Sequence, residues 1–197
     1  MTDVLVIRKT SGSNSEANMM IVDRIKNVYN EKEAEIVKQI SGYANAKKIE
    51  YTINERSSTV DINTIERGDV LSYKVINDEI LLVDLIWNRS GKGKLKSPGI
   101  YSNSGTYHYY APFRVLLGKI KRTDGKLALL DLGENEFGSD LFTLPTSVIV
   151  YDTKGGNQPF YISENPSVLT NQSGNGDTVL VAQGKRGGVK CMIVIKE

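Results

Sequence analysis

Two stretches of this chain carry residues whose types and spacing could do chemistry. The first is NRSGKGKLKSPGIYSNSGTYHYYAPFR, residues 88–114. It holds Arg89, Lys92, Lys94 and Lys96, then Tyr101, Tyr107, Tyr109 and Tyr110, with the only histidine, His108, among the tyrosines. Cations interleaved with aromatic rings can grip a single-stranded nucleic acid or stack on sugar rings. The Gly, Ser and Pro of the same stretch are the chemistry of a connection, whose tyrosines would pack between two domains. The connection is the preferred reading, and Lys94, Lys96, Tyr101, Tyr107, His108, Tyr109 and Tyr110 are the residues expected at a partner or domain contact.

The second stretch is TIERGDVLSYKV, residues 64–75, with Arg67-Gly68-Asp69 at its centre. That tripeptide invites a cell-adhesion reading. It also has the form of a corner feeding a strand, because Gly admits positive φ without steric cost and Asp bonds its own backbone in turns. The Gly-Asp pair recurs as Gly176-Asp177 in NGDTVLVAQ, with no arginine before it. The recurrence predicts structural turns at Gly68-Asp69 and Gly176-Asp177, and a dispensable Arg67.

Other constellations are weaker. DLGENEFGSD offers Asp131, Glu134, Glu136 and Asp140, oxygen ligands that suit calcium, yet their spacing fits no EF-hand loop and a solvated hairpin end is the simpler reading. One histidine and one cysteine make no zinc set. Cys191 falls on the face of Val189, Ile193 and Ile195, as a small core hydrophobe would. No Gly-Xaa-Ser-Xaa-Gly, Walker loop or dinucleotide fingerprint is present, so the chain reads as a non-enzyme without cofactor or metal.

The totals fit that picture. The chain has 197 residues, 40% of them hydrophobic and 24% charged, and a formal charge of +2. That length allows one large or two small domains. So small a net charge disfavours nucleic acid as a partner. The single cysteine excludes an intrachain disulfide, and no apolar run reaches the roughly 18 residues of a membrane span. The opening MTDVLVIRKTSGSN lacks the pattern of a signal peptide.

Strand signals dominate the chain that must position these residues. KIEYTIN sets Ile49, Tyr51 and Ile53 against Lys48, Glu50 and Thr52, the period-2 alternation of a half-buried strand. VLSYKVI and EILLVDLIW flank Asn77-Asp78, a two-residue hairpin step, and FRVLLGKIKR and KLALLDL flank Thr123-Asp124-Gly125. SVIVYD, PFYIS, TVLVAQ and VKCMIVIK complete an all-β pattern. NEKEAEIVKQIS alone is compatible with either helix or strand by periodicity. MIVDRIKN (20–27) resembles VLLGKIKR (115–122) with Ile25 and Ile120 in register, and GDVLSYKV resembles GDTVLVAQ. The expected architecture is two weakly repeated, barrel-like β-domains, at 1–97 and 112–197, joined by a linker at 98–111.

The segments DRIKNVYNEKEAEIVKQISGYANAKKIEYTI and INTIERGDVLSYKVINDEILLVDLI resemble the tandem β-domain region of S-layer-homology-type cell-surface proteins of clostridia and related Firmicutes. GKIKRTDGKLALLDL, TLPTSVIVYD and GGVKCMIVIK are similar to the partner domain, and the likeness spans most of residues 19–197. Ala46 departs from it, standing where that family often has glycine. The resemblance implies strand for residues 33–42 and a structural or interaction module at the cell wall. The implied partners are other domains of a longer surface protein or array, or cell-wall polysaccharide. A cytoplasmic location stays open, as does the alternative of a soluble barrel that binds single-stranded nucleic acid or glycan.

Overall fold

The computed structural model describes residues 18–31, 34–102, 114–133, 138–164, 168–169, 176–184 and 187–197. The all-β expectation holds: thirteen strands and one short 3-10 turn, Ile62–Thr64, make up the regular structure of the described residues. The first five strands are β1 (Asn18–Asn30), β2 (Glu35–Ala44), β3 (Lys47–Ile53), β4 (Val70–Ile76) and β5 (Glu79–Trp87). They close a barrel in the order β1-β2-β3-β5-β4, with β4 returning to β1. The segment that periodicity left open is therefore strand β2, as the resemblance implied. The β2–β3 and β4–β5 turns both follow hairpin chemistry. Asn45 and Ala46 adopt φ of 49° and 54°, and Asn77 and Asp78 adopt 52° and 65°, the doubly positive φ of a type I′ turn. Ala46 thus tolerates the left-handed conformation that glycine would enter more easily.

The remaining strands are β6 (Gly99–Ser102), β7 (Arg114–Asp124), β8 (Leu127–Asp131), β9 (Ser139–Thr143), β10 (Val148–Asp152), β11 (Phe160–Ser163), β12 (Thr178–Gln183) and β13 (Val189–Lys196). They form an open sheet in the order β11-β10-β13-β12-β7-β8-β9, with β6 also on β7. The pairing repeats that of the first barrel. β7 holds β8 and β12 as β1 holds β2 and β4, and β10 runs parallel to β13 as β3 runs parallel to β5. β9 and β10 divide the part that β3 plays alone: β9 pairs with β8, and β10 with β13. Between them lies Leu144-Pro145-Thr146-Ser147, and a proline cannot continue a ladder as a donor.

The repeat is real, but its register differs from the sequence alignment. A bulge interrupts β1 at Asp23 and β7 at Lys121. Val22 N–H bonds the carbonyl of Asp69, and Ile120 N–H bonds that of Asp177. Val22, not Ile25, is the counterpart of Ile120. The ungapped alignment follows the Ile-Lys pairs at 25–26 and 120–121, two identities against the single one, Arg24 with Arg122, that the structural register offers.

Three apolar clusters explain the strand compositions. Met20, Val22, Ile40, Leu71, Ile80 and Leu82 fill the first barrel. Leu116, Ile120, Leu130, Val179, Met192 and Val194 fill the inner side of the second sheet. The third cluster lies between the two: Met19, Ile21, Val70 and Ile86 from one half meet Leu117, Ile149, Leu180, Cys191, Ile193 and Ile195 from the other. Strands such as CMIVI and VLVA read as unbroken apolar runs because both of their faces are buried. A bulge at Lys190 also moves Val189 off the Cys191 face and onto the inner cluster.

Candidate binding faces

Arg67-Gly68-Asp69 is a corner, and it is also a contact between the two halves. Gly68 has φ of +91°, and a Cβ there would stand 2.7 Å from the Tyr151 hydroxyl, so glycine is required twice over. Arg67 reaches the carboxylate of Asp23 at 2.9 Å and the Asn157 carbonyl at 3.4 Å, and its guanidinium lies 5.5 Å from the Phe160 ring centre. Phe160 stacks between Tyr151, at 4.7 Å, and Tyr43, at 5.4 Å. Lys48 covers the outer face of Tyr43 and pairs with Asp23 at 3.5 Å. Arg67, read from the sequence as dispensable, thus stands over an aromatic ring at the contact of the two halves, a position at which a cation can add stability.

Asp69 accepts from the Glu66 N–H at 2.9 Å and is bonded by the side chain of Asn88. Burial raises its carboxyl above the usual range, against the pull of those two donors. Asp177, the residue that repeats it, does different work. It takes a 2.5 Å ion pair from Lys196, which also bonds the Val168 carbonyl. The shared feature of the two Gly-Asp pairs is the backbone bond to β1 or β7, and the carboxylates have diverged.

The basic and aromatic stretch is drawn into this contact rather than left as a tether. Asn88 accepts from the Lys92 N–H, and Lys94 and Leu95 N–H groups bond the Leu85 and Ile86 carbonyls, folding the chain back on β5. Leu95 is buried in the shared cluster. Lys94 and Lys96 are exposed, Lys94 lying 3.8 Å from Asp84. Residues 99–102, read as the start of a linker, form β6 against β7. Tyr101 packs on the shared cluster and donates to Asp84 at 2.5 Å. Burial first, and then that carboxylate, push its phenol well above the ordinary value. Tyr107, His108, Tyr109 and Tyr110 lie outside the described residues, as do Glu134 and Glu136 of the acidic turn. Of the other two acids, Asp131 bonds the Gly133 N–H and Asp140 pairs with Arg114 at 2.9 Å. Among the described residues no group of three His, Cys, Asp or Glu side chains is placed to hold a metal ion. Cys191 is buried among the shared apolar residues, and burial pushes its thiol up to about 11, which leaves no thiolate nucleophile near neutrality.

A solvent-open recess lies elsewhere, at the far end of the first barrel. β1 and β2 extend as a hairpin arm that faces the Asn77-Asp78 turn. Between them is a cleft of about 490 Å³, lined by Val28, Tyr29, Glu31, Val37, Thr52 and Asp78 among others. A second recess of about 380 Å³, with Glu35, Ile36, Asn54, Glu55 and Arg56 in its wall, shares Val37, Thr52 and Glu79 with it. The two form one elongated groove. Tyr29 is 65% exposed and Ile36 71% exposed, which is costly for large apolar side chains without a partner. Sequence reading missed this groove. The available signal was that Val28, Tyr29, Ile36 and Val37 break the alternation at the hairpin tip.

A closed five-stranded barrel in this order, with parallel β3 and β5, is an OB-type barrel, and the second half repeats its pairing in opened form. In that architecture the surface of strands 2 and 3, flanked by the β1–β2 and β4–β5 loops, is the usual ligand face. The groove occupies that position. Comparison with protein-family models and with curated proteins finds no match to this chain. Among the described residues no helix is long and apolar enough to cross a membrane.

Proposed function

We propose that this chain is a non-catalytic interaction module of a bacterial cell-surface protein, in which an OB-type barrel and an opened repeat of its pairing pack together and present the groove of the barrel. The observation that carries the reading is the groove itself, with exposed Tyr29 and Ile36 at the position where such barrels take ligands. The shared apolar cluster supports it, because a contact face on a rigid body can transmit position to neighbouring domains of an array. Placement at the surface rests on the motif resemblance alone. The alternative of a nucleic-acid module draws on the same topology, but the groove walls carry Glu31, Glu35, Glu55, Asp78 and Glu79 against Arg56. Carboxylates repel a phosphate backbone.

Two measurements test the reading. Purified chain should sediment with cell-wall fragments from a Gram-positive bacterium, and absence of retention overturns the surface placement. Titration with oligothymidylate at 50 and 300 mM salt should show no binding. Tight binding that falls steeply with salt overturns the module in favour of the nucleic-acid reading.

A further inference from the structure

We propose that the groove of the first barrel takes an extended, basic peptide segment in which cationic and apolar side chains alternate. The inference rests on reading the groove as the contact face, and adds what it holds.

Shape gives the first part. Two recesses joined at Val37, Thr52 and Glu79 make an elongated groove open to solvent, which suits an extended chain better than a compact small molecule. Chemistry gives the second. Val28 and Val37 sit opposite each other in the β1–β2 ladder and line the first recess, which Tyr29 also borders, while Ile36, paired with Tyr29, borders the second. Carboxylates then stand along the rim: Glu31 and Asp78 at the two hairpin tips, and Glu35 at the start of β2. Lys38 already answers Glu55, at 3.2 Å, and Asn54 donates to Glu79 at 2.6 Å. Glu31, Glu35 and Asp78 are exposed on the rim and are the charges open to an incoming cation. An extended strand sends successive side chains to opposite sides with a period of two. A segment alternating Lys or Arg with Leu, Ile or Val would lay its apolar side chains on the valine floor and bring its cations to that rim. The chain as a whole is slightly basic, so this acidity is local to the groove and is not a property of the surface at large.

The test uses the whole chain and four probes: an eight-residue peptide alternating lysine and leucine, its glutamate counterpart, an eight-nucleotide oligothymidylate, and chitohexaose. Backbone amide shifts locate binding and calorimetry measures it, at 50 and 300 mM salt. The Lys-Leu peptide should shift the resonances of Val28, Val37 and Thr52, and weaken with salt. The exposed triple variant Glu31→Gln, Glu35→Gln, Asp78→Asn should keep its melting temperature and bind that peptide at least about tenfold more weakly, as should Tyr29→Ser with Ile36→Ser. Equal affinity in the charge variant, or no shifts with the Lys-Leu peptide, overturns the basic occupant. Shifts at the groove from oligothymidylate or chitohexaose instead overturn the occupant but leave the contact face standing. If no probe reaches the groove, and the Tyr29→Ser, Ile36→Ser variant is still retained on wall fragments as the parent is, both readings fall.

Discussion

The closed barrel and the open sheet share a pairing plan and differ in how their faces are covered. In the first, one face is buried against its partner and the opposite face, over β2 and β3, stays open. Past the bulge at Asp23, β1 continues to Asn30, long enough to wall a groove, whereas β7 ends at Asp124, three residues past Lys121. In the second, β7, β10, β12 and β13 are apolar on both sides, and the strand corresponding to β3 is broken in two. One half leaves a face over β2 and β3 open, while the central strands of the other are covered on both faces.

The strongest way to break this comparison is to empty the shared cluster. Ile193→Ala should cost about 2–5 kcal/mol. Circular dichroism and Trp87 fluorescence should report a single transition that moves as one. Two separated transitions, with only the later half affected, would show that the barrels fold as independent domains. Gly68→Val comes next. The added carbons meet the Tyr151 ring at a positive φ, so a loss of about 3 kcal/mol in urea denaturation is expected.

Cys191 offers a finer probe through pH. Its thiol, ordinarily near 9, is held up to about 11 in the folded chain by burial. The folded state therefore binds this proton more tightly than the unfolded state does. The associated stability is complete below about pH 9 and is lost as pH rises toward about 11. The stability of the parent relative to Cys191→Ala should fall by up to about 3 kcal/mol across that window, and a constant difference would mean the thiol is exposed. Arg67→Ala should lower stability by about 1 kcal/mol, from the lost ring contact and a partly exposed ion pair. An unchanged midpoint would return Arg67 to the role of a bystander. The smallest effect is expected from Tyr29→Ser with Ile36→Ser, whose melting temperature should stay within about a degree of the parent, since exposed side chains add little to folding. A large drop would mean that these residues serve the barrel and not a partner.

The all-β class, the hairpins at Asn77-Asp78 and Gly125, and the Gly68-Asp69 corner were determined by the sequence alone. Each depends on short-range chemistry: alternation, positive φ, and the side-chain bonds of turns. The doubled apolar runs of β12 and β13 also carried, in plain view, the news that both faces of those strands are covered. Only the tertiary structure decided what covers them. Whether CMIVI lies inside one barrel or between two is a matter of long-range packing, and the composition is the same in either case. The register of the repeat was hidden because Ile-Lys at 25–26 matches Ile-Lys at 120–121 three residues out of step with the pairing. The role of Arg67 was hidden because its partners Phe160 and Asn157 are some ninety residues away. The groove was hidden for the same physical reason: its two walls are hairpins that the chain brings together only when β1, β3 and β5 close the barrel around Ile40, Ile80 and Leu82.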